Sequence, residues 1–238
     1  MKNLTLSISR ICLLSLFVTL FSCSSIAQKG SGNVIKKNVD VSNFDGIKIG
    51  GAYEVYLRQG DKEEVTIVAD DNIMENIIVY VKDGELRIKH EQDIKNPTEL
   101  KAYITVKYLK SIDISGACEL EGKNTIVSKE LTINASGASD LELAVRCTGL
   151  ILETSGASEL EISGDTKSLG IEASGASTIE AEDLTSEMAM VKGSGASTIK
   201  VFASGTLGAK ASGASTIHYT CTGEVTINES GAGSIKKR

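Results

Sequence analysis

Carboxylates recur in the second half of this chain at a spacing that could hold a cation. Glu121, Glu142, Glu161 and Glu180 each fall six residues after a serine that opens a Ser-Gly-Ala phrase. A second acidic set, Glu119, Asp140 and Glu159, stands two residues before the first three of these. Carboxylate oxygens are the ligands that Ca2+ takes, and they would equally receive a cationic partner. The series then changes sign, because its next members are Lys200, His218 and Lys236. The plainer expectation is a solvated charged face that keeps the molecule soluble and discourages edge pairing. No GGxGxD calcium repeat accompanies the carboxylates, so no dedicated metal site or other cofactor is expected.

Other chemistry is hard to assemble. There is no HExxH, Walker loop or GxSxG, and the GSGAS at 193–197 lacks the nucleophile spacing. The two histidines, His90 and His218, face so many serines that a Ser-His pairing on paper carries little information. A polysaccharide-active protein would need converging carboxylates and aromatic platforms. After residue 110 the aromatic residues are Phe202 and Tyr219 alone. The expectation is therefore a non-enzyme with no catalytic residues. Thr178, Thr198 and Thr216 form a short threonine series, too short to match a crystalline lattice.

The Ser-Gly-Ala phrase is what must position these residues. Its serines are Ser115, Ser136, Ser155, Ser174, Ser194, Ser212 and Ser230, at steps of 18 to 21 residues. A period near 19 is too short for paired helices and suits one coil of a β-solenoid. Three residues before each serine come Ile112, Ile133, Leu152, Ile171, Val191, Ala209 and Ile227. Five after come Leu120, Leu141, Leu160 and then four isoleucines, Ile179 to Ile235. Apolar and polar residues alternate on both sides of the phrase, the mark of strands with one buried face. Each repeat thus reads as strand, Ser-Gly-Ala corner, strand and loop. The glycine would supply the bend, and the alanine would turn inward where only a methyl fits.

Composition agrees. The 238 residues are 41% hydrophobic but only 4% aromatic, with 23 glycines and one proline, so the core is aliphatic and the turns are many. A net charge of −6 excludes nucleic acid as a partner and attachment to anionic lipid by charge. Residues 1–27 read as an export signal, with Lys2 and Arg10 ahead of the apolar ICLLSLFVTLF. Two processing routes stay open: lipidation at Cys23 of LFSC, or cleavage after SIA at 25–27. Removal leaves 23 basic against 31 acidic residues, a formal −8. Cys118, Cys147 and Cys221 are an odd, widely spaced set, read as buried thiols rather than a disulfide framework.

A disguised coil lies upstream. FDGIKIGGAYEVY (44–56) aligns with LKSIDISGACELE (109–121), so Ile47, Ile49, Gly51 and Val55 match Ile112, Ile114, Gly116 and Leu120. The 65-residue step leaves room for an insertion with the strands EVTIVA, IIVYVKDGELRIKH and KAYITV. Asp83 and Gly84 would centre a hairpin turn. This opening, the DGxLxI turn and the SGAS coils together resemble the head GIN domain family of autotransporter adhesins, from about Val34 to the end. The resemblance implies a right-handed parallel β-helix, secreted or anchored at the cell envelope, with no established enzyme activity.

The expected architecture is all-β. After the signal and a short linker (28–33), one domain (34–238) comprises an N-terminal part with the first coil and the β insertion (34–110) and the repeat coils (111–238). The expected function is a non-enzymatic, exported envelope protein acting as an adhesin or structural binding module. Its partner would be a glycan or a host or cell-surface protein, with the membrane reached only through a lipid on Cys23. The alternative is a carbohydrate-binding or polysaccharide-active β-helix. The periplasm, the outer membrane or cell surface, and secretion are the locations compatible with export.

Overall fold

The computed structural model describes residues 27–238; the export segment and Cys23 lie outside the described residues. The chain winds into a β-solenoid of about seven turns, about 19 residues to the coil. The first coil is β3 (Gly46–Gly51) and β4 (Glu54–Gln59), preceded by β1 (Gln28–Lys29) and β2 (Val34–Val39). The insertion supplies β5 (Glu64–Asp70), the short helix α1 (Asp71–Met74), β6 (Ile77–Lys82), β7 (Glu85–His90), β8 (Ile94–Lys95) and β9 (Leu100–Val106). The second coil is β10 (Ser111–Gly116) and β11 (Glu119–Gly122), followed by β12 (Ile126–Ala135). Then come β13 (Asp140–Thr154), β14 (Glu159–Ala173), β15 (Thr178–Gly193) and β16 (Thr198–Ala211). The last strands are β17 (Thr216–Cys221), β18 (Val225–Glu229) and β19 (Ser234–Lys237).

The disguised coil pairs as the alignment requires: Ile47 lies beside Ile112, Gly51 beside Gly116 and Val55 beside Leu120, all in parallel register. Inward residues stack coil on coil. Ile112, Ile133, Leu152 and Ile171 fill one wall, and Leu120, Leu141, Leu160 and Ile179 the other, all at most 3% exposed. Each such burial contributes roughly 1.5–3 kcal/mol, but only because the neighbouring coil covers it. The expected loop between strands is instead continuous with them: β13 and β14 stay in constant register around the far bend, and the unequal lengths of the next coils are taken up by register shifts between Glu161 and Gly164, between Ala181 and Thr185 and between Ser186 and Met188.

The Ser-Gly-Ala corner corrects one expectation. The alanine faces solvent, and the residue after it turns inward: Cys118, Ser139, Ser158, Ser177, Ser197 and Ser215 are all buried. The alternation runs on unbroken through the corner: Ile171, Ala173, Ser177 and Ile179 are buried, and the glycine takes the inward phase between them. From Gly116 to Gly231 every corner glycine holds a positive φ, between 65° and 91°, so the chain bends there without putting its neighbours out of phase. The inward hydroxyls of Ser139, Ser158, Ser177 and Ser215 donate to the carbonyl of the serine opening their own corner, at 2.8–3.1 Å. Each corner alanine N–H donates to the glycine carbonyl one coil back, at 2.7 or 2.8 Å, so a file of hydrogen bonds runs along the axis. Cys118, Cys147 and Cys221 are buried free thiols, and burial pushes the first two up from the ordinary thiol range.

The insertion extends both walls of the solenoid at its N-terminal end. On one side β7 pairs with β3 and closes a hairpin with β6, whose turn places Asp83 and Gly84 at positive φ. On the other, β9 pairs with β4, then β5 and β2 follow antiparallel. Residues 28–33, read as a linker, are tied down instead. β1 pairs with β8, and Gly32 N–H donates to Asp70 at 2.7 Å. Asp70 is fully buried and also accepts the N–H and hydroxyl of Thr98, at 2.7 and 2.8 Å. Ser31 and Asn33 likewise donate to Asp71.

The opposite end is closed differently. Glu229 continues the inward column of Ala173, Gly193 and Ala211, and Lys237 continues that of Val201 and Tyr219. The Glu229 carboxylate crosses to accept the N–H of Ile235. Charges at inward positions of an edge strand make it a poor template for another strand.

Candidate functional site: an eleven-strand outer face

The acidic residues singled out above sit together. Downstream of the Ser-Gly-Ala corner, the outward positions form two columns in strict parallel register. One carries Glu121, Glu142, Glu161, Glu180, Lys200, His218 and Lys236. The other carries Glu119, Asp140, Glu159, Thr178, Thr198, Thr216 and Ser234. Neighbouring members stand about 4.8 Å apart.

The columns do not stop at the repeats. Glu54 precedes Glu119 and Tyr56 precedes Glu121, and β9 then adds Lys101 and Tyr103. Thr66 and Asn38 complete the Glu121 column across β5 and β2. The face therefore spans eleven strands, from β2 to β19. The period could not reveal Glu54, Tyr56 and Tyr103 as members, because β4 stands a 65-residue step before the repeats and β9 comes from the insertion. The alignment of Val55 with Leu120 was the available signal.

Its electrostatics are patterned. At one end Lys101 lies 3.3 Å from Glu99 and 3.6 Å from Glu54, and the hydrogen bond to Glu99 holds its ammonium above the ordinary lysine range. Lys123 pairs with Glu121 and lies over the Tyr56 ring, 4.5 Å from its centre. Tyr56 in turn stacks on Tyr103 at 4.9 Å and donates to Glu54, which pushes its hydroxyl up. Toward the other end Lys200 pairs with Glu180, and that hydrogen bond raises the lysine. Between these pairs Glu119, Asp140, Glu159, Glu142 and Glu161 are exposed and have no side-chain hydrogen bond or ion pair among the described residues. These carboxylates are spread over a flat lattice. Among the described residues no three or more His, Cys, Asp or Glu side chains converge on a metal position.

The serines and histidines take structural places. Ser115, Ser136, Ser174, Ser194, Ser212 and Ser230 donate their hydroxyls to carbonyls of the preceding coil at 3.1–3.5 Å. His218 stands in the outer column between Lys200 and Lys236. His90 packs against Gly51 at the capped end, with Nδ1 buried and unpartnered.

A long solenoid with one patterned charged face and a β-capped end defines the class: a β-solenoid scaffold. The sequence profile of the family described as "Putative auto-transporter adhesin, head GIN domain" matches residues 43–223, and the chain belongs to that family. Among solved structures, a "putative adhesin" from Bacteroides fragilis is similar at a TM-score of 0.85 and 23% identity, over 89% of this chain and 100% of that one. A "putative lipid binding protein" from Parabacteroides distasonis follows at 0.77 and 21%, over 89% and 99%. A "putative adhesin" from Parabacteroides merdae gives 0.76 and 20%, over 89% and 99%. These likenesses show the fold. No curated protein matches the chain. Among the described residues no helix is long and apolar enough to cross a membrane.

Proposed function

We propose that this protein is an exported, non-enzymatic adhesive module of the cell envelope, and that the eleven-strand face is its binding surface. One observation carries the reading. Five carboxylates at the centre of that face have no protein partner among the described residues, while Lys101, Glu121, Glu180 and Lys200 on either side of them are ion-paired. Such a surface steers cationic groups of a large partner, a host or cell-surface protein or an amino-bearing glycan, without enclosing a small substrate. Export leaves the chain lipidated at Cys23 or cleaved after residue 27, and mass spectrometry of the mature N-terminus separates the two.

The test is a glycan and host-matrix array with the wild type and the variant E119Q/D140N/E159Q. Binding that weakens with salt and falls about tenfold in the variant is the expected result. Silence of the wild type, or equal binding by both, would overturn the reading. Calcium titrated to millimolar concentration should give neither saturable heat nor a rise in melting temperature, because the carboxylates lie in a plane rather than around a point. A saturable heat would assign the patch to a metal instead.

Carbohydrate binding has one observation of its own: Tyr103 closes the aromatic pair and is 43% exposed. Under that reading Tyr103→Ala abolishes glycan signals and leaves protein-ligand signals intact.

A further inference from the structure

The other wall of the solenoid, upstream of the Ser-Gly-Ala corner, carries the largest exposed apolar side chains of the repeat coils. Ile151 is 46% exposed, Met188 54% and Met190 64%. They belong to outward columns whose order is informative. One column reads Thr132, Ile151, Gly170, Met190, Gly208, Thr226. The column two residues toward the corner reads Asn134, Glu153, Glu172, Lys192, Lys210, Asn228. Both are antisymmetric about the same point, the boundary between β14 and β15.

From this we infer that the wall is a self-complementary interface and that its occupant is a second copy of this chain, related by a two-fold axis parallel to the strands. Such an axis keeps each column opposite itself and reverses its order, as an isologous contact requires. Met190 then faces Gly170 of the second copy, and Ile151 faces Gly208, a large side chain over a missing one at each level. Glu172 faces Lys192 and Glu153 faces Lys210. At the rims Thr132 meets Thr226 and Asn134 meets Asn228. In the column on the far side, Met188 meets Ser168 and Gly149 meets Thr206 by the same operation.

Within one chain Lys192 pairs with Glu172 at 2.6 Å, whereas Glu153 and Lys210 have no ion pair among the described residues. The second copy supplies the missing partners. Met190 folds over Gly208 of its own chain, and an unbranched thioether can swing to fill the gap above Gly170. One like-charge meeting results, Glu130 with Glu224, at the solvated rim where screening is strongest. This wall lies across the corner from the acidic face, so the inference stands independently of what that face binds.

Sedimentation equilibrium of the purified protein tests it. The wild type should show a concentration-dependent monomer–dimer equilibrium. M190D places two buried carboxylates at the dyad and should raise the dissociation constant about 100-fold or more. E153K/E172K and K192E/K210E should each fail to self-associate, and their equimolar mixture should recover a dimer. Those surface reversals should keep the wild-type melting profile, so they decide the matter if M190D folds poorly. A wild type that stays monomeric at millimolar concentration, a dimer indifferent to M190D, or a charge-swapped mixture without recovery would each overturn the inference.

Discussion

Replacing Gly156 by valine should cost about 4 kcal/mol or more, the largest single loss expected in this protein. Gly156 sits at φ 79°, where a β-branched residue is a genuine outlier. A Cβ there would press into the carbonyl oxygen of Gly137 and stand 3.0 Å from its nitrogen, both backbone atoms that cannot swing away. The Ala157 N–H to Gly137 carbonyl bond, 2.7 Å long, is lost with the corner. The damage is not confined to one coil. Nearest-neighbour stacking makes the solenoid a one-dimensional chain of couplings, and breaking one in the middle separates the halves. Thermal unfolding followed by circular dichroism should split from one transition into two. Gly170→Ala is the control: its φ is not left-handed and the nearest atoms to a new Cβ are 3.9 Å away, so it should change stability by less than about 1 kcal/mol. Equal effects from the two glycines would refute the account of the corner.

Asp70→Ala should release the N-terminal strap. The carboxylate is buried at the end of β5 and joins three segments, accepting from Gly32 and twice from Thr98. Its removal leaves those donors unpaired and should cost about 2–4 kcal/mol. Amide exchange would show where: residues 28–33 and 96–99 should lose protection first, while the repeat coils keep theirs. Burial by itself would push the Asp70 carboxyl up, but the bonds from Thr98 and Gly32 outweigh it and hold the group below the ordinary carboxylate range. Asp71 is held low in the same way by Ser31 and Asn33. A depressed folded pKa gives stability that is complete above the unfolded value, about 3.9, and is lost as pH falls through the folded one. The strap should therefore loosen below about pH 4 in the wild type. Asp70→Asn should flatten that part of the profile, and an unchanged acid limb would count against the assignment.

Much of this was readable from the sequence because a solenoid repeats its physics. One coil cannot bury its own apolar face, so every coil must place aliphatic residues at the same offsets, and the period shows them. The registers of Ile112 with Ile133 and of Glu142 with Glu161 follow directly. The corner was misread at its alanine because the small methyl was taken as a sign of tight packing; the alternation itself, carried from Ile171 and Ala173 through Gly175 to Ile179, puts Ser177 rather than Ala176 inside. The insertion was legible as strands but not as an extension of the acidic face. Nothing periodic links Tyr103 to Tyr56; only the sheet brings them together. The antisymmetry of Ile151, Gly170, Met190 and Gly208 becomes visible only once each residue's neighbour in the next coil is known.

The charged last coil has a consequence for how such molecules change over generations. Glu229 and Lys237 end the stack locally, and the insertion ends it at the other side, so neither terminus measures the number of coils between them. A duplicated or deleted segment of 19 residues, such as Ser155 to Ala173, would keep every inward column in register and both ends sealed. Reach is thus a quantity that tandem duplication can lengthen or shorten in one step, without redesigning either terminus.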